Sequence, residues 1–471
     1  MSTTLAYILG IVILVIGIGV SVALHELGHM IPAKRFGVKV PEYFIGFGPK
    51  IWSFKRGETE YGVKAIWLGG YVKLVGMLPP ARPGRPDRRR KDGSLGMVGE
   101  ARAEALEEIQ PGEEHRAFYH LSVPKKLIVM AGGILTNLVL GIVLLAVAVG
   151  VVGIPGRTTT LSTVAPCVSS DIDAGAPCQD SDPVGPASAA GIRVGDRIVS
   201  WGGVKVSTWE ELQARIAAQG TSPTEVVIER DGAERTVRVT AVEAQRTVRD
   251  AQGAPVKDAS GAVRTQARPY VGISPSLGTI PLSPTKIPGI IGQAIGGTVK
   301  AIATLPVGLY HAVQAALGVE QRSADSGVVG LVGMGRMAGN ATSGGVAGGG
   351  AVPLSMRVST MLMLLGSLNL ALFAFNLVPL LPLDGGHVLG ACWEGIRRSI
   401  AKAQGKPDPG PVDTARMLPV GQVVFGLLIA MALVLVWVDI AAPLQGLAGR
   451  EQIGTGGSDA THLRRWAGQG G

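Results

Sequence analysis

The sequence predicts a multi-pass α-helical membrane protein. It should have four transmembrane helices, a cytoplasmic membrane-associated β-hairpin sheet and an inserted extracytoplasmic α/β domain. Three observations point there. Hydrophobic residues make up 46% of the 471-residue chain and charged residues only 17%, a balance suited to a bilayer. Four apolar runs, residues 4–24, 127–152, 360–383 and 419–438, match the ~20 residues a helix needs to cross the hydrocarbon. Between the second and third runs, the chain returns to a soluble pattern of short alternating stretches and turn pairs.

The net charge of +9 does not indicate a nucleic-acid partner. The basic residues crowd beside apolar spans, where they set orientation in the lipid bilayer. Three cysteines are too few for a cysteine-ligated zinc site or a disulfide scaffold. The N-terminal run lacks a basic leader and a small-residue cleavage site, so it reads as a retained anchor.

Residues 1–37 form the first transmembrane helix. No charged residue occurs from Met1 to Leu24, and the run then ends in His25-Glu26-Leu27-Gly28-His29. Positions i and i+4 share a helix face, so both imidazoles can turn toward one metal ion. Two satisfied histidines beside a surface Glu would be the bland reading. An ionisable cluster at the edge of an uncharged run is costly unless it has a function, which favours the metal. His25 and His29 are therefore expected to bind a single Zn2+, with Glu26 as general base toward an attacking water.

Residues 38–126 read as the membrane-associated β region, with short strands at 38–40, 50–54, 60–66 and 71–74. Turns at Gly46-Phe47-Gly48-Pro49 and Gly69-Gly70 separate them. A protease that cuts inside a membrane must unwind its substrate, and an edge strand can hold the extended chain; a plain structural hairpin is the other reading. Residues 79–115, with Arg88-Arg89-Arg90-Lys91 and a Glu-rich stretch, read as a flexible insert. The second transmembrane helix occupies 127–157.

Residues 158–275 form the inserted domain. Gly185–Gly203 resembles the PDZ-domain signature of bacterial membrane-linked proteases. A helix at Thr208–Gln219 and strands at Glu225–Arg230 and Glu234–Thr240 follow, joined at the turn pair Asp231-Gly232. PDZ domains bind extended peptide ends on a strand edge, so a peptide contact is one reading; a folded gate is the other. Cys167 and Cys178 can pair if that side is oxidising, and Cys392 reads as a free thiol.

Residues 276–357 read as an extracytoplasmic amphipathic linker region. Residues 358–390 hold the third span, 391–445 a cytoplasmic loop and the fourth span, and 446–471 a disordered tail. The third span ends in Asn376-Leu377-Val378-Pro379-Leu380-Leu381-Pro382-Leu383-Asp384-Gly385-Gly386-His387. Two prolines open a helix end where the chain lines a cavity. Asp384 can supply a third ligand, leaving a fourth position for water. Asn376 can hydrogen-bond a substrate backbone or a developing oxyanion. His387 is a rival ligand, disfavoured because Gly385-Gly386 should turn the chain before it.

Basic residues flank the end of the first span (Lys34, Arg35, Lys39), the start of the second (Lys125, Lys126) and the end of the third (Arg397, Arg398, Lys402). The positive-inside rule then places both termini and the inserted domain outside and the active site toward the cytoplasmic face. His29 and Asp384 must share a side, so only one crossing can lie between their spans. Residues 285–318 are accordingly expected to hug the outer surface.

Together these motifs resemble the site-2 protease family of intramembrane zinc metalloproteases, and among them the bacterial regulator-of-sigma-factor protease type with one PDZ domain. The resemblance rests on His25-Glu26-Leu27-Gly28-His29, Gly69-Gly70-Tyr71-Val72-Lys73, Ala131-Gly132-Gly133-x-x-x-Asn137, the PDZ stretch, Asn376-x-x-Pro379 and Leu383-Asp384-Gly385, in that order. Gly133 stands where the family usually has Pro. The resemblance implies His25, His29 and Asp384 as ligands and Glu26 as base. Asn376, Gly70, Tyr71 and Pro379 become candidate substrate contacts. It also implies cleavage of a pre-trimmed, single-span membrane protein such as an anti-sigma factor in the cell membrane. A metal transporter would need polar residues along a whole crossing path, and a scaffold with a structural zinc would want four protein ligands. The polar residues gather at one face and three good ligands are found, so both readings are disfavoured and stand as the alternative.

Overall fold

The computed structural model describes residues 2–81, 86–168, 178–248, 256–258, 260–320, 328–344 and 352–442. The expected tail at 446–471 lies outside these residues.

Helix α1 (Thr3–Arg35) carries the first apolar run straight through the histidine motif. Ser2 caps it by accepting the Leu5 amide at 3.2 Å. Strands β1 (Glu42–Arg56) and β2 (Thr59–Lys73) follow. Where four short strands were expected there are two long ones. The glycines expected to end strands bend them from within instead: Gly46, Gly48 and Gly69 have φ of +91°, +81° and +150°. The bends let residues 42–45 face both 70–73 and 60–63, so one hairpin folds over into a compact sheet. Val38 and Val40 are not a strand. They are buried under the sheet with Met30, Ala33, Leu74 and Phe118.

The described residues of the insert are also not the flexible segment expected. Its helix α2 (Met97–Glu107) carries Arg102, which is 3% exposed. Arg102 donates to Asp87 at 2.9 Å, to Asp413 at 2.8 Å and to the Pro79 carbonyl. A buried guanidinium persists only when its donors are matched in this way, and the matching ties the insert to the segment before the last span.

Helix α3 (Val123–Val147) continues through a π-helical turn to Val152 and leads into an α/β unit. Its elements are β3 (Ile154–Val164), α4 (Pro186–Ala189), β4 (Arg197–Trp201), β5 (Val204–Lys205), α5 (Trp209–Gln219), β6 (Thr224–Arg230), β7 (Ala233–Val239), β8 (Val242–Thr247), β9 (Thr265–Tyr270) and β10 (Ile273–Ile280). The main sheet runs β10-β3-β4-β6-β7 with β5 on β4, and β8 and β9 pair separately. Helix α5 starts at a capping box, Thr208 with Glu211, and presses Leu212 onto Ile198, Val226 and Ile228. The Asp231-Gly232 turn has φ of +54° and +76°, as the two-residue hairpin requires. Cys167 and Cys178 are joined as a disulfide.

Asp196 underpins this unit. It accepts Arg230 Nε and Nη2 at 2.7 Å each and the Arg193 amide at 2.8 Å. Burial pushes its carboxyl up, but the Arg230 and Arg193 hydrogen bonds outweigh that and hold it below the ordinary carboxylate value. A depressed folded-state value contributes stability that is complete above the unfolded pKa, about 3.9, and is lost as pH falls through the folded value. Acidification below about pH 4 is therefore expected to speed hydrogen exchange in β4 and β6. Asp196→Asn should already show the faster exchange at neutral pH.

Two further helices, α6 (Ile287–Ala303) and α7 (Leu305–Ala316), fill the region expected to hug the membrane, bent by 74° at Thr304. Helix α8 (Leu331–Ser343) was not foreseen. It packs on α1, where Thr342 Oγ1 donates to the Ala6 carbonyl at 2.8 Å. The last helices are α9 (Leu354–Asn376), α10 (Asp384–Ala403) and α11 (Leu418–Ala441). Among the described residues, α1, α3 with its π turn, α9 and α11 are long and apolar enough to cross a membrane. The bent α6–α7 pair would make five if counted as one span.

The third span departs from expectation at its end. Helix α9 stops at Asn376, Pro379 and Pro382 lie in a loop, and Asp384 opens a new 20-residue helix. Gly385-Gly386 does not turn the chain. These glycines sit in the first turn of α10 because the loop folds back over them: a Cβ on Gly386 would lie 2.7 Å from the Leu381 nitrogen, and one on Gly385 2.7 Å from the Leu377 carbonyl. Lys126 Nζ of α3 donates to both Glu394 oxygens of α10, at 2.9 and 2.8 Å, with both side chains buried. That pair holds α10 along α3.

Candidate active site

The site lies where α1, α3, β2 and the first turn of α10 meet. Helices α1 and α3 touch backbone to backbone there. A Cβ on Gly28 would lie 2.6 Å from the Gly132 carbonyl oxygen, and one on Gly132 would overlap the Gly28 carbonyl. Small residues permit this approach between apolar helices. It sets the next turn of α1, with His29, against α3.

The structure brings His25, His29 and Asp384 together as the sequence predicts. Asp384 Oδ2 lies 3.1 Å from His25 Nε2 and 3.3 Å from His29 Nε2, and the two Nε2 atoms are 3.3 Å apart. His29 Nδ1 donates to the Val129 carbonyl at 2.8 Å, so in the neutral ring Nε2 carries the lone pair. That lone pair faces a carboxylate oxygen and a second imidazole, an arrangement that asks for a cation. Two imidazoles and one carboxylate are the donor set of a catalytic zinc site with an open position. The residues present fit the ion. His387 stands outside the group of three. Three residues on along α10, it lines a cavity of about 30 Å³ with Phe118, Lys126 and Glu394.

Gly133 is explained by the same packing. A methyl there would overlap His29 Nε2 and lie 2.8 Å from His25 Cε1. His29 is fixed by its Val129 bond and cannot move aside without losing it. Gly133→Ala is expected to abolish stoichiometric zinc binding, measured by metal analysis of the purified chain.

Glu26 faces β2. Its carboxylate takes a hydrogen bond from the Val72 backbone amide, and a Cβ on Gly70 would meet Glu26 Cγ at 3.2 Å. The sheet is clamped to α1 by Tyr43, whose hydroxyl donates to the Ala23 carbonyl at 2.6 Å. Burial, then the Glu26 charge, pushes the Tyr43 phenol up to about 12, so it remains a donor at neutral pH.

The remaining candidates are placed less centrally. Gly70 lies directly beside Glu26. The Tyr71 side chain points elsewhere: its hydroxyl donates to Glu42 at 2.5 Å and accepts from Lys64 at 2.8 Å. Asn376 ends α9, with its carbonyl 2.8 Å from where a Gly385 Cβ would stand. Pro379 is exposed in the loop. A groove of about 490 Å³ follows Tyr71, Val72, Leu74 and Met77, and is also lined by Ala105 of α2 and Glu108 at its end.

Sequence reasoning gave no role to Asn137, whose Nδ2 lies 3.0 Å from His25 Nδ1, or to the Val129 carbonyl. The Gly-Gly-x-x-x-Asn spacing carried a signal for Asn137. The backbone carbonyl left none.

The sequence profile described as peptidase family M50 matches residues 13–407. The chain is 33% identical over 444 residues to the zinc metalloprotease Rip1 of Mycobacterium tuberculosis, covering 93% of this chain and 99% of that protein. It is 32% identical over 445 residues to Rip1 of Mycolicibacterium smegmatis, covering 93% and 98%. It is 26% identical over 478 residues to the zinc metalloprotease RasP of Geobacillus kaustophilus, covering 91% and 97%.

Proposed function

Because this chain belongs to peptidase family M50, the site-2 proteases, and is a zinc metalloendopeptidase, we propose that it cuts single-span membrane proteins within the bilayer after their outer parts have been trimmed. The observation that carries this reading is the position of the triad. His25 and Asp384 lie at the ends of apolar segments, and Glu26 sits between them and a strand edge.

His25, His29 and Asp384 would hold the zinc ion. When bound, it supplies Lewis acidity, lowering the pKa of water toward ~7 and polarising the scissile carbonyl. Glu26 accepts the proton as the water oxygen attacks the carbonyl carbon. It returns that proton to the amide nitrogen as the C–N bond breaks, giving a carboxylate end and an amine end. Gly70 and the backbone at Tyr71–Val72 offer an extended substrate a strand to pair with beside Glu26. The groove toward Ala105 and Glu108 gives the cut segment a way out. Asn376 is assigned to the substrate backbone or oxyanion, and Pro379 shapes the loop over the site.

The basic residues at 34–39, 125–126 and 397–402 support an orientation with both termini and the α/β unit outside the cell and the metal toward the cytoplasm. The α/β unit is read as PDZ-like. The β10 edge of its sheet gives it a strand for an extended peptide end, and its position before α6 suits a gate against untrimmed chains. Anti-sigma factors are the proposed substrate class. Membrane proteomics of cells carrying Glu26→Gln tests this: trimmed single-span fragments should accumulate, and their absence would reject the substrate class.

A further inference from the structure

The two histidines are anchored differently on their outer sides. His29 Nδ1 has a backbone carbonyl. Among the described residues, His25 Nδ1 has only the Asn137 side-chain amide, placed with Nδ2 at 3.0 Å. In that placement Asn137 Oδ1 is buried without a hydrogen-bond partner, in a residue that is 0% exposed. A neutral imidazole that offers Nε2 to a metal carries its proton on Nδ1. Two donors would then face each other while an acceptor went unused. Turning the amide by 180° gives the Nδ1 proton an acceptor and puts the oxygen to use, since the oxygen and nitrogen of an amide are assigned from their partners.

We propose that Asn137 is a positioning residue: its Oδ1 accepts the Nδ1 proton of His25, fixes that tautomer and holds Nε2 toward the metal. Second partners of this kind orient metal-binding histidines and tune their basicity. Asn369 provides an internal contrast. It too is fully buried with an unpartnered Oδ1, but its Nδ2 donates to Ser21 Oγ at 3.0 Å and touches no ligand.

The test is zinc affinity of the full-length chain in detergent, read by competition with a chromophoric chelator. Asn137→Leu should raise the zinc Kd by ~10–100-fold. Asn137→Asp, which keeps an acceptor, should restore it to within a few-fold, and Asn369→Leu should leave it unchanged. If Asn137→Leu and Asn369→Leu weaken zinc equally, or Asn137→Asp does not rescue, the role is structural and the proposal fails. Should the leucine variant not fold, 15N-histidine NMR of the zinc-loaded native chain decides, with His25 assigned by difference from His25→Ala. Protonated Nδ1 with Nε2 on the metal supports the assignment; the opposite tautomer overturns it.

Discussion

Glu26→Gln is expected to keep one zinc per chain and to slow cleavage of a membrane-spanning substrate by ~10²–10⁴-fold, the usual contribution of a positioned general base. Glutamine has the same shape, and its amide oxygen can still accept the Val72 amide, so the packing of α1 against β2 is preserved. None of the three proposed ligands changes. What disappears is the carboxylate proposed, among the described residues beside the triad, to take a proton from water and hand it to the leaving nitrogen. Zinc content and cleavage of a reconstituted substrate, measured on the same preparation, check both halves. Near-normal cleavage would remove Glu26 from the mechanism.

Asp384→Ala should abolish zinc binding and cleavage together. The carboxylate supplies the only negative charge among the three proposed ligands, and it arrives from a different helix from the two imidazoles. Without it, two imidazoles on one face of α1 remain, a chelate too weak to retain zinc through purification. Occupancy should fall from one ion to near none, while the Lys126–Glu394 pair keeps α10 in place. Retained zinc would mean that a further ligand exists and that the site is a closed, structural one.

The parts of the site legible in the sequence were those that defy their surroundings. Charged and imidazole groups at the edges of long apolar runs stand out because burial there costs energy unless it serves a function. The helix α10 was not legible, since Pro379, Pro382, Gly385 and Gly386 each argue against helix by local preference. The loop at 377–383 folds over the two glycines, and it is the space it needs, not their flexibility, that calls for them. The order of the insert was hidden for a different reason. It depends on one arginine reaching Asp413, more than 300 residues away, which no local pattern can reveal. The bends in β1 and β2 read as turns in the sequence because glycine signals a break equally well inside a strand and at its end.

The most direct measurement is the position of the cut. The chain, loaded with zinc and reconstituted into liposomes with a trimmed single-span substrate, should yield two products whose new termini fall within the apolar segment, read by mass spectrometry. A cut confined to residues outside that segment, or one made equally by Glu26→Gln, would contradict hydrolysis at His25, His29 and Asp384 inside the membrane.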